Sequence, residues 1–334
     1  MFLYLTDASI RLERNLVKGL TDIPGVLVGH ATNYEALTGC TAILCERGAV
    51  AGVDVRGSAT GTEEFGLLEA RHLTERIHGV VFAGGSAFGL EACSGVRRFL
   101  EHKGVGFPTG AGVVPLVVGA ILFDLGLGKR GVRPTREMGE SAAAAANADT
   151  VPEGAVGAGT GATVGKVLGM KNAMKSGVGS YTVELPGGVL VSALVAVNAV
   201  GDVVDPATGK IVAGTRKTAD GTDFVDSARL VRDGTHAGFR RENTTLAVVA
   251  TNAALNKTQA AKLAEGGSTG MARTIYPAHM MSDGDVTIGL SVGDVKARLD
   301  SLAVAAAEAV SQSILRAVRF ASTMGGVPGL KGAR

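Results

Sequence analysis

The sequence predicts an α+β protein. Short β-rich apolar runs recur along the chain, at 40–45, 50–55, 79–83, 189–197, 246–250 and 286–291. Segments with helical spacing or alanine-rich composition stand among them, at 89–103, 137–148 and 295–321. Glycine is the compositional outlier: 49 of 334 residues, twice the average of about 7%. The glycines are grouped between apolar runs, without a collagen period. That arrangement suits tight turns and backbone packed closely on backbone.

Bulk properties exclude several function classes. Lys and Arg number 33 against 31 Asp and Glu, a net charge of +2, and no basic cluster with interleaved aromatics appears. No nucleic-acid partner is expected. Cys40, Cys45 and Cys93 are an odd count without CxxC spacing. They form neither a zinc motif nor a disulfide framework, which fits a reducing, cytoplasmic setting. Residues 1–19 read as a leader with a short amphipathic helix ending near Lys18, not as a signal peptide. No uninterrupted apolar run reaches a membrane-spanning length of ~18 residues, so no membrane partner is expected. With 334 residues and 46% hydrophobic composition, one or two domains are both possible.

In chain order, Pro24-Gly25 turns into a short strand at Val26–Val28, followed by His30, a lone histidine of structural character. Glu46-Arg47-Gly48 between the runs 40–45 and 50–55 suggests a β-hairpin. In the loop at 53–66, Arg56 and Glu63 are placed to pair. Strand, Gly84-Gly85-Ser86 turn and helix follow. That shape fits a close-packed βα turn, a phosphate-binding turn, or a nucleophile elbow with Ser86 as nucleophile. Phe88 stands where the elbow needs glycine. After the alanine-rich helix, Gly157, Gly159 and Ala162 match a loose dinucleotide fingerprint, but a helix precedes them where a strand belongs. Lys166 ends this loop. The strand at 189–197 ends in Asn198, whose amide suits either an oxyanion or a turn cap. Residues 207–241 are polar, mixed in charge and aperiodic, and read as an exposed linker. Asn256 with Gln259 forms a capping box. Asp283-Gly284-Asp285 opens the strand at 286–291, as a tight turn, a metal-ligand pair or a pair of orienting carboxylates.

The stretch Arg240–Asn252, RRENTTLAVVATN, organises the rest. Asn243, Thr244 and Thr245 stand at the mouth of a buried strand. If the bond before Thr244 breaks, that residue gains a free α-amine beside its own hydroxyl, a nucleophile with a built-in base. Without cleavage it is an ordinary strand entry.

The order of these segments resembles the DmpA-like family of self-processing amidohydrolases. That family comprises L-aminopeptidase/D-amidase/esterases, β-peptidyl aminopeptidases and nylon-oligomer hydrolases. The resemblance runs from LTDIPGVLVGH at residue 20 to about residue 322 and includes VDVRG (53–57), FAGGSAFGLEA (82–92), GAGTGATVGK (157–166), VAVNAVGDVVD (195–205), NTTLAVVATN (243–252) and DGD (283–285). It implies a four-layer αββα sandwich of the N-terminal-nucleophile-hydrolase kind, with mainly antiparallel sheets. It implies that residues 20–334 form a single catalytic domain, with self-cleavage between Asn243 and Thr244 giving chains 1–243 and 244–334. Asn-Thr-Thr, Lys166, Asn198, Asp283 and Asp285 match the nylon-hydrolase branch more closely than the aminopeptidase branch.

On this resemblance the site is Thr244 as nucleophile, Lys166 as tuning cation, Asn198 as oxyanion donor, and Asp283 with Asp285 as orienting groups. Neither cofactor nor metal is expected. A nearby cation lowers the pKa of an α-amine and keeps it basic near pH 7. The expected substrates are short peptides, amino-acid amides or related oligoamides. The cleaved pairs are expected to associate, most often as a homotetramer. The rival readings are a self-cleaving acyltransferase of the ornithine acetyltransferase type, a Ser86 hydrolase, a dinucleotide enzyme and a binding module.

Overall fold

A computed structural model describes residues 18–234 and 243–332. The leader expected over 1–19 lies outside the described residues, save Lys18 and Gly19. Nine described strands form the main framework: β1 (Leu27–Asn33), β2 (Thr38–Val55), β3 (Thr62–Glu63), β4 (Arg76–Ala83), β5 (Val117–Ile121), β6 (Val178–Leu185), β7 (Val189–Asn198), β8 (Thr244–Ala253) and β9 (Val286–Val295). Their order is β6-β7-β8-β9-β2-β4-β5-β3, with β1 on β2. The β8–β9 and β4–β5 pairs are parallel and the others antiparallel.

This path folds into two facing sheets because β2 belongs to both. Its first half, from Thr38 to Leu44, pairs with β1 and with β4, while Val50–Val55 pairs with β9. The expected hairpin at 46–48 is therefore corrected. Glu46-Arg47-Gly48 bends one continuous strand without reversing it. The register against β4 slips between Leu44 and Ala49, and Gly48 has φ 78°. Extra residues on one strand of a pair give a bulge that turns the strand.

Alternation then fills three cores. Leu246, Val248 and Ala250 of β8 meet Ile43, Val80 and Phe82 between the sheets. Ala247 and Val249 point the other way, onto α4 (Lys257–Thr274) and α5 (Leu299–Arg319), through Leu263, Met271, Val310 and Ile314. On the far side, Leu44 and Val81 pack on Val96 and Leu100 of α1 (Glu91–His102), beside α2 (Arg136–Ala144), and the short α3 is Ser227–Arg232. Both faces of β8 are covered, so its apolar run is continuous instead of alternating with polar residues. The result is helices, sheet, sheet, helices, the αββα sandwich expected. Helix α5 is long and apolar enough to cross a membrane, but most of it is buried in the core.

The capping box forms as read: Asn256 Oδ1 accepts from Gln259 N at 2.9 Å, and Gln259 Oε1 accepts from Asn256 N at 3.0 Å. Two other expectations change. Arg56 pairs with Asp54 at 2.7 Å, and Glu63 pairs with Arg97 at 2.5 Å, so Arg56 and Glu63 do not form an ion pair. Adjacent loop charges found nearer partners. The segment at 207–241, read as an exposed linker, is folded where it is described. Asp202 accepts from Thr215 N at 2.8 Å, Ser227 N at 2.9 Å and Ser227 Oγ at 2.7 Å. A buried carboxylate organises this segment, and polar anchoring leaves no hydrophobic period to read.

Candidate active site

Strand direction gathers the site. Strands β8 and β9 run parallel, so their entries lie at one sheet edge. Strand β7 is antiparallel to β8 and β2 is antiparallel to β9, so their exits reach the same edge. Thr244 opens β8, Asp283 and Asp285 stand just before β9, Asn198 closes β7, and the 53–57 loop leaves β2. Asn198 is the register partner of Thr244.

Lys166 arrives by a different route. Gly165 N donates to Gly201 O at 3.1 Å, and Lys166 N donates to Val200 O at 2.9 Å. The loop therefore lies along the turn that follows β7. Gly165 has φ +68°, and a Cβ there would stand 2.0 Å from the Gly214 carbonyl carbon. Only glycine fits this approach. The glycines at 157 and 159 sit in a buried single-turn helix, not in a strand-to-helix phosphate cradle. Lys175, not singled out in the sequence, staples that loop: its fully buried Nζ donates to Ala162 O at 2.7 Å, Ser176 O at 2.8 Å and Gly159 O at 3.3 Å.

At the edge, Lys166 Nζ donates to both Asn198 O and Asn198 Oδ1, each at 2.9 Å. Asn198 Oδ1 also accepts from Thr163 N at 3.1 Å, and Asn198 Nδ2 donates to Phe123 O at 2.9 Å. Asn198 thus ties separate segments together and is more than a turn cap. Thr244 Oγ1 donates to the Asn243 carbonyl at 2.6 Å. The same carbonyl oxygen accepts the Gly284 N–H at 2.9 Å. Gly284 leaves the threonine hydroxyl room, since a Cβ there would stand 2.7 Å from Thr244 Oγ1.

The two carboxylates are held by backbone. Asp285 Oδ1 accepts from Thr245 N at 2.7 Å, and Asp283 Oδ2 accepts from Met280 N at 2.9 Å. The amides of Arg56 and Gly57 donate to Asp285 O at 3.0 and 3.1 Å, and Ala59 N donates to Asp283 O at 2.9 Å. This docking explains why VDVRG and DGD occur together. Burial first, and then the charge of Asp285, push the Asp283 carboxyl well above the usual carboxylate range. Its Oδ1 is buried without a hydrogen-bond partner among the described residues. Exposure ranges from 1% at Asn198 to 9% at Lys166. Water therefore screens these charges little, and their interactions are strong. Among the described residues no cluster of three or more His, Cys, Asp or Glu has a metal-holding arrangement.

Two other candidates fall elsewhere. Ser86 has the left-handed φ of 54° that an elbow needs, yet no side chain among the described residues hydrogen-bonds its hydroxyl. His30 is structural, with Nδ1 2.9 Å from Thr41 Oγ1, and burial lowers its pKa to about 4.

This convergence of a strand-entry threonine, a lysine, an asparagine and two aspartates agrees with family membership. The model for peptidase family S58 matches residues 18–331. The chain belongs to peptidase family S58. An uncharacterised aminopeptidase of Mycobacterium leprae is 36% identical over 351 residues, covering 93% of each chain. A 6-aminohexanoate-oligomer endohydrolase of Paenarthrobacter ureafaciens is 32% identical over 285 residues, covering 82% of this chain and 75% of that one. Among solved structures, the L-aminopeptidase D-Ala-esterase/amidase from Ochrobactrum anthropi, described as a variant of the Ntn hydrolase fold, superposes with TM-score 0.71 at 21% identity. That match covers 93% of this chain and 88% of the other. As an S58 member the protein is an enzyme of the peptidase and amidohydrolase class.

Sequence reasoning missed Gly284 N–H, the Gly57 and Arg56 amides, and Lys175. Backbone donors leave no trace in side-chain patterns. His279 was also missed. The signal available was a titratable residue four positions before Asp283.

Proposed function

We propose that this S58 enzyme activates itself by cutting between Asn243 and Thr244 and then hydrolyses amide bonds with Thr244 as an N-terminal nucleophile. The observation that carries the reading is the Asn243 carbonyl, which accepts both Thr244 Oγ1 at 2.6 Å and Gly284 N–H at 2.9 Å. The attacking hydroxyl lies against the bond to be cut, and a donor already faces the oxygen where charge develops.

In the first reaction Thr244 Oγ adds to the Asn243 carbonyl carbon and loses its proton. The Oγ–C bond forms, the C–N bond breaks, and the Thr244 nitrogen takes up a proton. Water then hydrolyses the ester, leaving a carboxylate on Asn243, and a free hydroxyl and α-amine on Thr244. In the second reaction the α-amine accepts the hydroxyl proton, the substrate acyl group moves to Oγ, and the leaving amine receives that proton. Water releases the acid. Lys166 keeps the α-amine basic, Asn198 donates to the substrate oxyanion, and Asp283 and Asp285 orient the centre.

The relatives' names support short peptides, amino-acid amides or oligoamides as substrates. The cleaved pairs work as a homotetramer in the cytoplasm on this reading. An acyltransferase shares every step until the acyl group leaves, and an amine acceptor in place of water is what separates it.

Intact mass and a denaturing gel of purified protein test the proposal. Two fragments are expected, the second beginning Thr-Thr-Leu, and Thr244→Ala should leave one chain without amidase activity. A fully active chain that remains whole overturns it.

A further inference from the structure

We infer that His279 is a positioning residue of this site: its ring fixes Asp285, and through Asp285 the first peptide group of the nucleophile strand. The inference rests on the reading of Thr244 as the self-cleaving nucleophile.

Asp285 Oδ2 accepts twice from one residue, from the His279 backbone N–H at 3.0 Å and from the His279 ring Nδ1 at 3.0 Å. The ring nitrogen faces a carboxylate, so Nδ1 carries the proton. With Oδ2 held by both donors the carboxylate is fixed in rotation. Its other oxygen, Oδ1, then stays on Thr245 N at 2.7 Å, one residue beyond the nucleophile. The contact chain is His279, Asp285, Thr245, Thr244.

His279 adopts φ +58°, a left-handed conformation that is uncommon outside glycine and in which asparagine, aspartate and histidine are the most frequent of the other residues. The left-handed turn brings ring and backbone N–H to one oxygen, and hands the next amide, Met280 N, to Asp283 Oδ2 at 2.9 Å. A single left-handed residue therefore sets both carboxylates. Ring Nε2 lies 3.4 Å from Ser268 O, which leans the ring on α4. The charged groups around the ring are Asp285, Asp283 and Arg56. Burial opposes a charged ring, but the bond to Asp285 and its charge outweigh it and raise the His279 pKa.

Two substitutions separate ring from backbone. Glycine and asparagine both tolerate the left-handed conformation, but only asparagine offers a side-chain N–H near the place of Nδ1. In a cell-free translation chase followed by denaturing gel, His279→Gly should lengthen the cleavage half-time by roughly 10–100-fold, the loss expected from a misplaced nucleophile. His279→Asn should stay close to wild type, and the melting temperatures of both should stay near the wild-type value. Wild-type speed in His279→Gly overturns the inference, as does equal slowing in both variants. A wild-type chain that remains whole overturns the underlying reading and this inference with it. Should His279→Gly fail to fold, ring 15N shifts of the uncut Thr244→Ala protein decide. A protonated, hydrogen-bonded Nδ1 is expected, and a bare Nδ1 overturns the assignment.

Discussion

Lys166 grips Asn198 at two points: its Nζ donates to the Asn198 main-chain oxygen and to Oδ1, each at 2.9 Å. The cation fixes which way the amide faces. With Oδ1 on the lysine and on Thr163 N, the Nδ2 end is the donor end of the residue. An oxyanion donor must be aimed before the reaction begins, since reorganising it would use up its benefit.

Asn198→Ala should therefore lower kcat by roughly 10²–10³. Stability should fall too, by about 1–3 kcal/mol, because Thr163 N and Phe123 O lose buried partners. Urea unfolding beside steady-state kinetics separates the two effects. A kcat loss of less than threefold in folded protein would rule out the oxyanion role.

Lys166→Met should move the acidic limb of the kcat/KM profile to higher pH. The sign follows from charge. In the proposed cleaved centre, a cation near the Thr244 α-amine favours the neutral amine, so its removal lets the amine keep a proton to higher pH, toward the usual 7.7–8.0 or so. An unmoved acidic limb would show that the lysine acts only through Asn198.

Gly284→Ala keeps the N–H donor but adds a methyl carbon 2.7 Å from Thr244 Oγ1 and 2.9 Å from Ala59 O. The hydroxyl must shift off its line to the Asn243 carbonyl. Self-cleavage should slow by about 10²-fold, since a displacement near 1 Å at a reacting atom costs on that order. A time course of fragment appearance measures it, and an unchanged rate would mean that the nucleophile does not need its position in the uncut chain.

The sequence by itself determined the elements that apolar period and capping chemistry can encode. The runs at 189–197 and 246–250, the capping box at Asn256 and the long terminal helix are local, and each formed within a few residues of its reading. Thr244, Lys166, Asn198, Asp283 and Asp285 could be named from the sequence as candidates, because their residue types and the order of their segments resemble a known family.

Tertiary structure decided the rest. Whether Glu46-Arg47-Gly48 reversed the chain or only bent it depended on which strands flank β2, and that is a long-range matter. Residues 207–234 looked aperiodic because a single buried carboxylate, Asp202, organises them through backbone and hydroxyl donors. The meeting of Asn198 with Thr244, and of Thr244 with Gly284, required strand directions: β7 antiparallel and β9 parallel to β8. Side-chain patterns record which face of a strand is buried. They carry no record of backbone N–H groups or of the left-handed turn at His279, so the donors that aim this site appear only when distant strand ends come together.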